Sequence, residues 1–194
     1  MSVAAESGTH AKPGSIAALE ARGFVGFRAV GALHADRCAE VPVARGVYVM
    51  VRNSLDPPEF LAKSVGGWYR GKDPSATRLE EQWVPGAQVL YYGRARGPGV
   101  RSLLQQRVKR YLRFGHGKRV AHWGGRLVWQ LADHESLLVA WLPTPEHDPA
   151  AVEAQLIQDF FAHHRKLPFA NLREEDARED AEERGEERAE EDVT

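Results

Sequence analysis

Residues 46–51 read Gly-Val-Tyr-Val-Met-Val and residues 88–93 read Gln-Val-Leu-Tyr-Tyr-Gly. The first run offers no wet side, so it suits a central strand covered on both faces. The second runs through Arg94-Ala95-Arg96 into the break Gly97-Pro98-Gly99, which turns the chain. A third run, Leu137 to Leu142, is bounded by Pro143 and Pro145 and reads as another strand. Strands near 46–52, 88–94 and 137–142 predict an α/β domain, strictly α+β: a small antiparallel three-stranded sheet flanked by helices. In extended chain, Tyr48 points away from Val47 and Val49, and Tyr91 points with Gly93 and away from Tyr92. Two phenols can therefore line one face.

The remaining elements follow from their punctuation. Ser15 is a candidate cap for a short helix through Ile16, Leu19 and Glu20 that stops at Gly23. The segment GFVGFRAVGAL reads equally as strand or loop. Asp73-Pro74 opens a helix with Leu79 and Trp83 spaced i, i+4, and a longer helix is expected from about Ser102 to Phe114, stopped by Gly115 and Gly117. AHWGGRLVWQL fits helix or strand. Asp148-Pro149 pairs an N-cap with proline at the first helical position and opens a helix to about His164, burying Val152, Leu156 and Phe160. The expected organisation is a disordered leader at 1–14, an N-terminal extension at 15–45, a domain at 46–172 with an insert at 53–88, and an acidic disordered tail at 173–194.

The chain holds one cysteine, Cys38, which excludes an intrachain disulfide and a multi-thiolate metal site. No run approaches the roughly 18 apolar residues of a membrane span, and MSVAAESGTHAKPGS lacks the regions of a signal peptide, so a cytoplasmic protein with no membrane partner is expected. The formal net charge of -1 hides two opposite parts. Residues 174–194 carry 12 acidic against 3 basic groups, net -9, which leaves 23 basic against 15 acidic groups, net +8, in residues 1–173. Residues 82–132 contain no acid and ten basic groups: Arg94, Arg96, Arg101, Arg107, Lys109, Arg110, Arg113, Lys118, Arg119 and Arg126. Such segregation points to a polyanion partner, nucleic acid above all. An arginine-rich composition, 20 Arg to 6 Lys, is the blander account of the same count. By charge alone the tail either competes with nucleic acid for the basic surface or serves solubility.

Four marks recur in one order: Gly46-Val47-Tyr48, Tyr91-Tyr92-Gly93, Arg107 within a helix, and Glu153 followed by Leu167-Pro168-Phe169-Ala170-Asn171. From about Gly46 to Asn171 the chain resembles the GIY-YIG nuclease family. The stretches SLLQQRVKRYLRFG, HWGGR, WQL and LPFAN look like its small bacterial members. The resemblance implies a metal-dependent endonuclease that hydrolyses phosphodiester bonds, with DNA the expected substrate. It implies that Tyr48 orients, or takes a proton from, the attacking water and that Tyr91 contacts the scissile phosphate. Arg107 would bind that phosphate, Glu153 would hold a single Mg²⁺ (or Mn²⁺), and Asn171 would hold the site together by hydrogen bonds. Arg94 stands where the family often has Lys, and Tyr111 completes the Leu-x-x-Arg-x-x-x-Tyr spacing that begins at Leu104. His122 is either an accessory proton carrier or a structural hydrogen-bond donor.

Each residue also has a plainer reading. Tyr48 and Tyr91 suit any strand, and a Glu153 near a helix start suits the helix dipole. Arg107 has Leu103 and Tyr111 as i±4 neighbours, and a guanidinium in apolar company needs an anion. The anion is a phosphate or a distant carboxylate such as Glu153 or Asp159, since 82–132 supplies none. Arg101 is a rival for the phosphate role because the link from Gly93 to Arg107 is longer than in compact family members. His116, His122, His163 and His164 show no i, i+4 pair, so no structural zinc is expected, and no GxxxxGK[ST] phosphate loop is present. Two other functions stay open: a binding module that keeps the fold and the basic patch without cutting, and a protein-interaction domain acting through the acidic tail.

Overall fold

A computed structural model describes residues 11–67, 76–97, 103–118 and 125–172. Among these residues a four-stranded antiparallel sheet, ordered β1-β4-β2-β3, is built from β1 (Val25–Ala29), β2 (Gly46–Val51), β3 (Val89–Ala95) and β4 (Leu138–Pro143). Five α-helices accompany it: α1 (Ile16–Ala21), α2 (Val30–Ala35), α3 (Ala76–Gln82), α4 (Leu104–Gly115) and α5 (Pro149–His164). None of them is long and apolar enough to cross a membrane. Residues 1–10 of the expected leader at 1–14, the Asp73-Pro74 helix start and the acidic tail lie outside the described residues, while the Gly14 carbonyl accepts from Gln88 N and Val89 N.

β2 is buried at all its positions, as a strand without a wet side must be. Its two faces belong to different cores. Tyr48 and Met50, with Tyr91, Val139 and Trp141, pack beneath Val108, Tyr111 and Leu112 of α4. Val47, Val49 and Val51, with Tyr92 and Ala140, pack against Leu19 of α1 and Leu156 and Phe160 of α5. The caps act where the sequence places them: Ser15 Oγ accepts from Ala18 N at 3.2 Å, and Asp148 Oδ1 accepts from Ala150 N at 3.1 Å.

The expected three-stranded sheet is corrected to four strands. β1 comes from the segment that reads as strand or loop, and its irregular geometry explains the ambiguity. Gly26 and Phe27 take φ of 101° and 48°, and the register slips between Val25 and Arg28. A bulge removes the period-2 alternation on which a strand is recognised. The glycine is required twice over, because a Cβ at 26 would also lie 2.6 Å from the Trp141 ring. The other ambiguous segment, AHWGGRLVWQL, contains a 3-10 helix over Arg126–Gln130, while its residues 121–124 lie outside the described set.

The described parts of the long link between β2 and β3 are anchored to the rest of the fold. Leu131 forms a β-bridge with Phe60, whose ring meets Phe169 at 5.9 Å, and Trp83 meets Phe169 at 5.3 Å. Arg52 donates to Asp133 Oδ2 at 2.5 Å and to the Asp56 carbonyl at 2.5 Å, with its guanidinium 5.8 Å from the Trp83 ring centre.

α1 and α5 are tied by Arg22, which donates to Asp159 Oδ2 at 2.5 Å. That bond, helped by Gln155 and opposed by burial, holds the Asp159 carboxyl below its ordinary range. A lowered carboxyl contributes stability above its unfolded range and loses it as pH falls through the folded one. Both side chains are about a third exposed or more, so screening keeps the contribution small. Asp159→Asn is expected to cost under about 1 kcal/mol at neutral pH and nothing in acid, read by urea denaturation at both pH values.

Candidate active site

The site is organised around β3, an edge strand. Tyr48 on β2 stands opposite Gly93, and its ring lies across that glycine: a Cβ at 93 would be 2.4 Å from Tyr48 Cζ and 2.5 Å from its hydroxyl oxygen. Only glycine leaves room for this ring. Tyr91, two residues earlier on the same face, meets Tyr48 at 6.0 Å between ring centres, and Tyr111 of α4 completes a triangle at 6.1 Å and 5.6 Å. The Tyr111 hydroxyl donates to the Gly125 carbonyl at 2.9 Å. Arg107, one turn before Tyr111, belongs to the buried stripe Leu104, Arg107, Val108, Tyr111 and Leu112 and is 3 % exposed. Lys109 and Arg110 are part-buried and Arg113 is exposed.

Glu153 lies on the other side. It occupies the second turn of α5, and its carboxylate pairs with Arg94, the residue after Gly93, whose side chain leaves β3 on the face opposite Tyr91. Both groups are withdrawn from water, with side chains 15 % and 6 % exposed for Arg94 and Glu153. A buried pair of this kind holds because each charge compensates the desolvation of the other. Glu153 thus has a cationic partner, and that partner is Arg94. The pair opens onto a groove of about 660 Å³ lined by Arg94, Arg96, Glu153, Phe161, Arg165 and Asn171, among others.

Asn171 closes the open edge of β3. Its Oδ1 accepts from Tyr92 N and its Nδ2 donates to Tyr92 O, both at 2.9 Å, while Ala170 N donates to the Leu90 carbonyl at 2.8 Å. The side-chain amide therefore does what a neighbouring strand would do. Tyr92 itself points into the α1 and α5 side, where burial pushes its phenol above the ordinary range.

The fold thus brings Tyr48, Tyr91, Arg107 and Tyr111 together on one face of β3, and Arg94, Arg96, Glu153 and Asn171 together at the other face and edge. Tyr48, Tyr91, Arg107 and Glu153 are all buried, at 0 %, 1 %, 3 % and 4 % exposure. Lys118 is exposed and Arg126 part-buried. Arg101, Arg119 and His122 lie outside the described residues. Sequence reasoning missed Arg165, which follows α5 in left-handed backbone at φ 57°. It also missed the Arg94–Glu153 pair, for which the only local signal was a cation directly after Tyr91-Tyr92-Gly93.

A divalent cation at the groove would find in Glu153 a hard carboxylate, with waters and phosphate oxygens completing its shell, as Mg²⁺ prefers. Among the described residues no group of three or more His, Cys, Asp or Glu side chains could hold an ion, and Glu153 is the one acid in the groove lining, so a cation there would rest on that single carboxylate, and only as Arg94 yields. No protein-family model, curated protein or solved structure matches the chain.

Asn171→Ala would leave the amide and carbonyl of Tyr92 buried without these partners. A loss of about 2–3 kcal/mol is expected, read by chemical denaturation, with Asn171→Asp intermediate because it keeps an acceptor and loses the donor.

Proposed function

We propose that the chain is a metal-dependent endonuclease of the GIY-YIG type, hydrolysing phosphodiester bonds of nucleic acid, with DNA as the expected substrate. One observation carries the reading. Positions scattered from 48 to 171 converge on four consecutive residues of one edge strand: Tyr111 on Tyr91, Asn171 on Tyr92, Tyr48 on Gly93 and Glu153 on Arg94. These are the positions that the resemblance singles out.

The division of labour follows from the chemistry of each group. Arg94, Arg96 and Arg165 line the groove with donors whose planar forks suit phosphate oxygens. A phosphate bound by Arg94 would draw it from Glu153 and leave that carboxylate for the cation. The cation, when bound, supplies Lewis-acid stabilisation of the charge that develops on the phosphate. The resemblance gives Tyr48 the attacking water and Arg107 the developing charge, and because both are buried on the face of β3 away from the groove, these roles require that face to open to substrate. As the P–O bond to water forms, the P–O bond to the leaving sugar breaks, and the water proton passes to solvent or to the departing oxygen.

A second reading, a nucleic-acid-binding module that does not cut, is favoured by the burial of Tyr48 and Tyr91 and by the engagement of Glu153 with Arg94. The two readings separate on incubation of purified protein with plasmid, branched DNA and single strands in Mg²⁺, Mn²⁺ or EDTA. Cutting that requires the metal and disappears in Glu153→Gln, with DNA affinity equal or higher, is expected of the nuclease. Unchanged cutting in that variant removes Glu153 from the metal role. Arg107→Ala is expected to lower turnover by about 10² to 10³, and Arg110→Ala far less. If Arg101→Ala is the crippling change instead, the phosphate role belongs to Arg101.

A further inference from the structure

The face of α5 turned to the groove is apolar. Ala150, Ala154, Ile157 and Phe161 line it at spacings of four, three and four residues, which places them in one stripe of the helix. This stripe is separate from Leu156 and Phe160, which α5 buries in the body of the protein. Ala154 and Phe161 are exposed, the phenyl-bearing residue at 40 %. Cations stand at both ends of the stripe: Arg94 pairs with Glu153 in the second turn of α5, and Arg165 follows the last residue of the helix. Arg96 lines the groove as well. Leu167 and Asn171 complete the wall, so the chain itself runs along the groove just before residue 173.

We propose that this groove is the docking site of the chain's own acidic segment, residues 173–194. The point of departure fits, because Asn171 lines the groove and Leu172 is the last described residue. Charge fits, because residues 174–194 carry 12 acidic against 3 basic groups and would meet the arginines at the two ends of the stripe. Shape fits as well. Ala177, Ala181, Gly185 and Ala189 recur at every fourth place, and wound as a helix they would form one i±4 row of small side chains against which a second helix can pack closely. That row would run about 18 Å from Ala177 to Ala189, and the α5 stripe runs about 17 Å from Ala150 to Phe161. A phosphate backbone answers the arginines alone, whereas this segment offers carboxylates for them and small apolar groups for the stripe. The docking does not depend on the nuclease reading. Where that reading holds, the segment would stand in the place of the phosphates at Arg94, Arg96 and Arg165, so that substrate has to displace it.

The test is disulfide trapping in the full-length protein. Cys38 is buried, and burial pushes its thiol up to about 12, so it stays silent. Ala181→Cys is combined either with Gln158→Cys, in the groove, or with Ala151→Cys, which is exposed on α5 outside the groove. A disulfide needs its two Cα atoms within about 7 Å. Under mild oxidation of dilute protein at low salt, the pair with Gln158→Cys is therefore expected to close about tenfold faster than the pair with Ala151→Cys, as a docked segment raises the local thiol concentration. Adding Phe161→Glu and Arg165→Glu, both at exposed positions, should remove that advantage, with far-UV circular dichroism verifying the fold. Should that variant fail to fold, salt at about 1 M, where screening shortens to about 3 Å, replaces it as the perturbation and should reduce the advantage severalfold. Equal rates for the two pairs overturn the proposal, as does an advantage that survives the perturbation. Cross-links that mass analysis finds only between molecules would give the groove to a second copy of the chain and overturn it too. The readout uses no nucleic acid, so its failure and the failure of the nuclease reading are distinct results.

Discussion

β2 has no residue in contact with water, and that single constraint organises the rest. A strand buried on one face needs one covering layer, whereas a strand buried on both needs two, from opposite directions. The tyrosine and methionine side of β2 receives α2, α4 and the 126–130 turn, and the valine side receives α1 and α5. Every side chain of the candidate site is fixed by this arrangement. Tyr111 comes down from the first layer and Glu153 from the second, and both meet β3, which among the described residues has no strand beyond it.

The buried arginines show how a basic body is made compatible with a core. Residues 82–132 contain no acid, so any carboxylate partner within the protein must come from elsewhere in the chain. Arg94 finds Glu153, 59 residues away, and Arg52, outside that stretch, finds Asp133, 81 residues away. Each pair joins β3 or the residue that follows β2 to a later part of the sequence. Their net contribution to stability is modest after desolvation, but loss of either partner would strand a charge. Their geometry therefore specifies which later segment meets which strand.

The central strands, the two capped helices and the face shared by Tyr48 and Tyr91 were legible in the sequence because each leaves a local signature: an apolar run, a cap with its proline, an alternation of period two. β1 was not legible, because Gly26 and Phe27 break the alternation at the bulge. The opposition of Arg107 and Glu153 across β3 was not legible either. Helical periodicity tells which side of a helix is buried and says nothing of which face of a sheet receives it.

The contact between the Tyr48 ring and Gly93 makes two positions, 45 residues apart in sequence, behave as one heritable unit. A side chain at 93 is excluded only while a six-membered ring lies across it, and the ring is free to lie there only while 93 has no side chain. Substitutions at the two sites are therefore epistatic: alanine at 93 meets Tyr48 as a clash and meets a small residue at 48 as a neighbour that fills vacated space. A lineage could leave the tyrosine-glycine state only by passing through an overpacked or a hollow intermediate. The pair is thus held in place by the shape of the sheet itself, whatever chemistry the tyrosine performs.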